Sequence, residues 1–127
     1  MDIQAEKISD AELEIMKVVW RSPVPMTYPQ IRSALEGSAD WDSSTIRTLI
    51  RRLVEKGALS QSKEDVYCYA PAIGESEFME QKTQSFLNKV YGGNAKGLVA
   101  TLFKKDYINK QDIEELKSFW EKEGDSK

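Results

Sequence analysis

Three helix-start signals follow one another in the first half of this chain, and they constrain its fold more than anything else in the sequence. Ser9 stands ahead of "SDAELEIMKVVW" with Glu12 three places on, the reciprocal spacing of a capping box. Leu13, Met16, Val19 and Trp20 then recur at helical spacing, which gives the first helix one apolar face. Two prolines in "RSPVPMTYPQ" stop that helix, and Thr27 with Gln30 repeats the box ahead of "TYPQIRSALEG", which Gly37 closes. Asp42 can cap a third helix over residues 45–56, and Gly57 is its natural left-handed stop. The third helix follows the second after a tight connection, as in a helix-turn-helix.

Beyond Gly57 the period changes. "ALSQSKEDVYCYAPA" reads as two short strands around the polar turn Lys63, Glu64, Asp65; Val66, Tyr67 and Tyr69 supply β propensity and Pro71 ends the second strand. Three helices followed by a hairpin make a winged helix. From Glu75 the pattern is helical again, through "ESEFMEQKTQSFLNKVY", a break at Gly92 and Gly93, "AKGLVATLFKK" and "NKQDIEELKSFWEKE". The expected fold is therefore mainly α: a winged helix-turn-helix with a short hairpin wing over residues 1–72, then a helical region over residues 73–127.

Composition removes several function classes. With one cysteine, Cys68, and no histidine, an internal disulfide and zinc sites of clustered Cys and His are excluded, as are Ser-His-Asp and Cys-His nucleophile arrangements. The acids sit in helical charge patterns beside lysines rather than singly in apolar runs, so no enzyme activity and no cofactor are expected. No apolar run approaches the roughly 20 residues that cross a bilayer, and "MDIQAEKISDAELE" lacks the basic and apolar regions of a secretory signal. The expected location is the cytoplasm. Cys68 between Tyr67 and Tyr69 reads as a small strand residue and Trp41 as a packing residue.

At 100° per residue, Ile46, Leu49, Ile50 and Leu53 share one side of the third helix, while Ser44, Thr48, Arg51 and Glu55 share the opposite one. Arg47 and Arg52 flank the exposed stripe. The net charge is −3, yet between Ser43 and Val54 the chain carries three arginines and no acid. Local field, rather than net charge, governs contact with phosphate. Arginine can donate two hydrogen bonds to guanine O6 and N7, and threonine offers thymine a hydroxyl and a methyl, which suits a major-groove reader. The candidate contacts to double-stranded DNA are Ser43, Ser44, Thr45, Arg47, Thr48, Arg51 and Arg52, with Lys63 from the turn. Lys63 can reach phosphate, but Glu64 and Asp65 beside it would repel one, so the turn reads equally well as a solvated loop. Ser60 and Gln61 are neutral candidates for phosphate.

Phe86, Val90, Leu98, Val99, Leu102, Phe103, Ile113, Leu116, Phe119 and Trp120 give the tail more apolar residues than three short helices can bury alone. Each is worth roughly 1.5 to 3 kcal/mol when buried. A second copy of the chain is the expected cover, because readers of this type pair on two-fold operators.

"ISDAELEIMKVVW", "WDSSTIRTLIRRLVEKGAL" and "VYCYAPAI", followed by "FLNKVYGG" and "DIEELKSFW", resemble in order the penicillinase-repressor family, and within it the BlaI and MecI type. The similarity runs from about residue 8 to residue 120, and "STIRTLIRRLVEKG" is its most specific part. The resemblance implies a homodimeric winged-helix repressor of β-lactam-resistance-type genes that binds operator dyads with its third helix and dimerises through its C-terminal helices. The paired Cys-x-Cys motifs of copper-responsive members are absent, so copper sensing is not expected. In the β-lactamase regulators, a membrane sensor with metalloprotease activity leads to cleavage of an Asn-Phe bond in the dimerisation region. The corresponding bond here is Thr101-Leu102 or, one residue on, Leu102-Phe103; the Asn has no counterpart. Derepression by a sensor-linked protease or by loss of the dimer is the expectation that follows. The reading from another class is a protein-interaction module whose arginines face acidic groups on a partner.

Overall fold

The computed structural model describes residues 5–125. A single 3-10 turn, Ala5–Lys7, precedes α1, Asp10–Arg21. A short strand β1, Met26–Thr27, leads into α2, Tyr28–Leu35, and α3 follows as Ser43–Glu55. Strands β2, Leu59–Lys63, and β3, Tyr67–Pro71, form the hairpin, and α4, Glu75–Tyr91, α5, Ala95–Lys104, and α6, Lys110–Asp125, complete the chain. The fold is mainly helical with a small antiparallel sheet of order β1-β3-β2, the winged helix that the sequence leads one to expect.

Both capping boxes are present. Ser9 Oγ accepts from Glu12 N at 3.1 Å while Glu12 Oε1 accepts from Ser9 N at 2.8 Å. Thr27 Oγ1 and Gln30 Oε1 make the same exchange at 3.4 and 2.9 Å. These bonds satisfy amide groups that a helix start otherwise leaves without partners. The third helix begins at Ser43, two residues before the sequence pattern places it, because Asp42 adopts the extended cap conformation and takes Thr45 N at 2.8 Å. Its end is a Schellman motif: Gly57 N donates to Val54 O at 3.0 Å and Ala58 N to Leu53 O at 2.9 Å. Gly57 stands at φ 83°, a left-handed conformation that a side chain would strain.

One strand was not legible in the sequence. Met26 and Thr27 pair antiparallel with Tyr69 and Cys68. Two residues carry no period, and this strand exists because β3 offers a free edge. The hairpin itself pairs Leu59 with Pro71 through to Lys63 with Tyr67.

The core gathers Ile15, Met16 and Val19 from α1, Ile31 and Leu35 from α2, and Ile46, Leu49, Ile50 and Leu53 from α3, with Leu59, Ile73 and Phe78. Trp41 and Trp20 lie partly buried against it. Trp20 Nε1 donates to Ile73 O at 2.9 Å, and its ring meets Phe78 with centroids 5.2 Å apart and tilted. Gln81 Oε1 accepts from Ala5 N at 3.0 Å. The chain divides into two compact units, residues 1–84 and 85–127, and the first turns of α4 pack into the first unit.

Among the described residues of that first unit, Glu12 is the buried charge. Its carboxylate accepts from Lys56 Nζ at the end of α3, and Lys56 Nζ also donates to Lys7 O at 2.7 Å. Burial pushes the Glu12 carboxyl up, but the Lys56 hydrogen bond, the Ser9 amide and the Lys56 charge outweigh it and hold the group below its ordinary value. An acid lowered in the folded state contributes stability above its unfolded pKa, and that contribution is lost as pH falls through the folded value. Glu12→Gln keeps an oxygen for the Ser9 amide but removes the charge, and Lys56 is exposed enough to turn to water. The variant is expected to lose about 1 to 3 kcal/mol at neutral pH. Urea titrations from pH 7 to pH 3 should show its stability falling less on acidification than the wild type's.

Candidate nucleic-acid interface

The burial of α3 divides it into two faces. Ile46, Leu49, Ile50 and Leu53 lie in the core, and Ser44, Thr45, Arg47, Arg51, Arg52 and Glu55 are exposed; Ser43 and Thr48 are half-buried. Thr45, Ile46, Thr48 and Ile50 are β-branched and lower the intrinsic helix propensity of this segment. The Asp42 cap, the Schellman end and the buried side offset that loss, so the exposed side is left to its chemistry.

The start of α3 is not an empty anion site. Asp42 Oδ1 accepts from Thr45 N and, at 2.9 Å, from Ser44 Oγ. The Thr45 amide, ahead of the Ser44 hydroxyl, holds the Asp42 carboxyl below its usual range. A negative charge thus sits at the N-cap, ahead of the first turn, and Ser44 spends its donated proton locally.

The three arginines differ in their surroundings. Arg47 lies on the α2 side of the helix with its guanidinium carbon 3.8 Å from the centre of the Tyr28 ring. Arg51 Nε is 3.8 Å from Glu55 Oε1, an i,i+4 pair in which both side chains are 65% exposed. Such a pair is worth about 0.2 to 1 kcal/mol, and Arg before Glu is the weaker order on a helix. Arg52 is exposed, and among the described residues no side chain pairs with it. Between α3 and the sheet lies an open cleft of about 300 Å³ whose lining includes Tyr28, Arg47, Arg51, Glu55, Gln61 and Tyr69.

The wing is polar at its tip. Lys63 ends β2 with its ammonium 4.9 Å from the Tyr67 ring centre. Ser60 Oγ donates to Ala70 O at 3.3 Å within the hairpin, and Gln61 lines the cleft beside Arg51. The structure therefore brings Arg47, Arg51 and Gln61 around one cleft, while Lys63 belongs to the far end of the hairpin. Tyr28 and Glu55 were absent from the residues singled out as contacts. Glu55 could have been read from its i,i+4 spacing to Arg51. Nothing local marks Tyr28, because its partner belongs to another helix.

Among the described residues, no group of His, Cys, Asp and Glu is arranged to hold a metal, and no helix is long and apolar enough to cross a membrane.

Known proteins match this chain along most of its length. The model of the family described as "Penicillinase repressor" matches residues 8–122. The penicillinase repressor of Bacillus licheniformis is 40% identical over 111 residues, 87% of this chain and 86% of that protein. The methicillin resistance regulatory protein MecI of Staphylococcus aureus (strain N315) is 32% identical over 123 residues, 96% of this chain and 99% of that one. Among solved structures, the DNA-binding domain of the repressor BlaI is 40% identical with a TM-score of 0.52, over 60% of this chain and 90% of that domain. The monomeric form of Bacillus licheniformis BlaI in complex with the blaP half-operator is 42% identical with a TM-score of 0.50, over 56% of this chain and 87% of that one. By its fold and by these likenesses, the chain belongs to the penicillinase-repressor family, with the BlaI and MecI repressors among its relatives.

Proposed function

We propose that this chain is a cytoplasmic homodimeric transcriptional repressor of β-lactam-resistance-type genes. In this reading α3 of each protomer reads one half of a two-fold operator, helices of the second unit join the protomers, and repression ends when the dimer is lost. The observation that carries the reading is the exposed Arg, Thr and Ser stripe of α3. It stands on a fold that resembles a BlaI domain solved with its half-operator.

Each candidate contact has a task. Arg51 is central on the stripe and suits guanine, with Thr48 beside it for thymine. Leaving Glu55 costs Arg51 little, because an exposed pair is worth less than the roughly 1 to 3 kcal/mol of a bidentate base contact. Arg47 and Arg52 on the flanks suit phosphate, as does Lys63 from the wing. Ser43, Ser44 and Thr45 at the helix start supply short polar groups, with Asp42 already holding two of their donors.

The second unit supports the dimer. None of its described residues is buried: Val99, Phe103, Leu116, Phe119 and Trp120 are exposed, as are Phe86 and Val90, and Leu98, Leu102 and Ile113 are half-buried. Ala95, Val99, Ala100 and Phe103 share one side of α5 between Lys96 and Lys104. Trp120 alone is 76% exposed. A helical unit with no buried side chain has no core of its own, and a partner copy supplies one. Thr101 and Leu102 lie within α5, where Thr101 Oγ1 donates to Gly97 O at 3.1 Å. A protease acting there, as the sensor-linked enzyme of this reading would, must first unwind that turn; its cut would separate α6 from the reading head.

The deciding measurement is fluorescence anisotropy of the full chain with a duplex bearing the dyad of its own promoter, against a random duplex, with the protected bases mapped. Tight binding to the first alone is expected. Equal affinity for both duplexes would favour a protein-interaction module. On the mapped operator, Arg51→Ala should weaken specific binding by about 1 to 3 kcal/mol per half-site, and Thr48→Ala should shift base preference. Arg52→Ala should weaken all duplexes alike and reduce the slope of log affinity against log salt by roughly 0.9 per contact. Truncation after Thr101 should sediment as a monomer and lose on the order of 10²-fold in operator affinity with α3 untouched, since the second half-site no longer binds intramolecularly. A truncated dimer with wild-type affinity would rule out control at this place.

A further inference from the structure

Tyr28 is the first residue of α2, and two features fix it there. Thr27 caps the helix ahead of it, and the ring packs half-buried against the core. Pro29 follows and has no amide hydrogen to satisfy. The ring's exposed face is covered by Arg47 of α3, with 3.8 Å from guanidinium carbon to ring centre. At that distance the guanidinium can lie flat on the ring, an arrangement that engages its π face rather than its N–H edge. Among the described residues no carboxylate pairs with Arg47, whereas Arg51 has Glu55. The Tyr28 hydroxyl is buried and has no hydrogen-bond partner among the described residues. What the side chain contributes is therefore its ring, not its O–H.

We infer that Tyr28 is a positioning residue for DNA binding: its ring holds the Arg47 guanidinium on the flank of α3, with the N–H edge free to meet a backbone phosphate. The inference rests on the proposed reading of α3 as the DNA-contacting helix. Free arginine side chains sample many rotamers, and fixing one on binding opposes affinity. A platform that fixes the rotamer beforehand removes part of that opposition, and stacking does so without consuming the donors that phosphate needs. Glu55 cannot serve Arg51 in this way, because a carboxylate takes the same N–H groups that the nucleic acid would.

The test uses the full chain on its mapped operator and on a random duplex. Tyr28→Leu is expected to weaken both by roughly two- to fivefold per half-site, the range of an exposed cation–π contact. Tyr28→Phe is expected to stay within about twofold of wild type and to melt no lower, since it keeps the ring and removes an unpartnered hydroxyl. In the Arg47→Ala background, Tyr28→Leu should have no further effect. A readout that needs no variant is the Arg47 side-chain proton shifts in the labelled wild-type protein, which the ring should move upfield. Additive losses in the double variant, tighter binding by Tyr28→Leu, a Tyr28→Phe that behaves as Tyr28→Leu, or Arg47 shifts at their ordinary values would each overturn the inference. If Arg47→Ala leaves both duplexes unaffected, Arg47 meets no phosphate and the inference falls with that assignment. Loss of binding by Arg51→Ala would still hold α3 in place as the reader, so the two failures are distinguishable.

Discussion

The ion pair between Glu12 and Lys56 ties the end of α3 to the start of α1. Glu12 is in the first turn of α1 and Lys56 is the residue that closes α3, so the pair joins the start of one helix to the end of another. Each charge also suits its own helix end, an acid near the positive N-terminus and a base near the negative C-terminus. The same carboxylate oxygen receives the Ser9 amide, and the same ammonium reaches Lys7 O. One buried carboxylate thereby serves a cap, a helix contact and the N-terminal turn together. Removing Glu12 leaves the Ser9 amide without its side-chain partner in a buried place, whereas Lys56 can turn to water. This junction and the four buried apolar residues of α3 hold the helix against the rest of the head.

What the sequence made legible is what short-range physics controls. Ser9 with Glu12 and Thr27 with Gln30 announce their helices because a capping box lies within four residues, and Gly57 announces a stop because only glycine takes its φ at no cost. The hairpin was readable from β-branched and aromatic residues around a polar turn. Contacts between distant parts of the chain were not. The Glu12 and Lys56 pair spans 44 residues, and the sequence shows Glu12 only as a cap. Strand β1 is two residues long and owes its existence to β3. In the candidate interface, the exposed stripe of α3 follows from helical period alone. The partners that distinguish one arginine from another, Tyr28 above all, depend on how α2 and α3 meet.

The two compact units face opposite problems. The first buries Ile15, Met16, Ile31, Leu35 and Leu53 almost completely and so has a core of its own. In the second, α5 has no buried residue at all, and Phe119 and Trp120 stand on α6 at 63% and 76% exposure. Exposed aromatic groups of this size, gathered on short helices, cost solubility unless something covers them. The dimer proposed above resolves this by placing like surfaces together across a two-fold axis, which is also the symmetry of a dyad operator. The same apolar area would then serve folding of the second unit and spacing of the reading heads.

A net charge of −3 beside an arginine-bearing helix is consistent with selective rather than indiscriminate DNA binding. Non-specific affinity comes from the number of phosphates a surface can neutralise. Acids flank the arginine-bearing helix here: Asp42 at its start, Glu55 at its end, and Glu64 and Asp65 at the tip of the wing. A duplex that offers only phosphates meets three arginines, one of them already paired, against this acidic surround. In the proposed reading, a duplex that also offers guanine to Arg51 would gain a base contact worth more than the Glu55 pair it releases. The acids would subtract from every complex alike and so cancel from the comparison between sites; in the proposed reading the specificity is the base contact, which only the correct site offers.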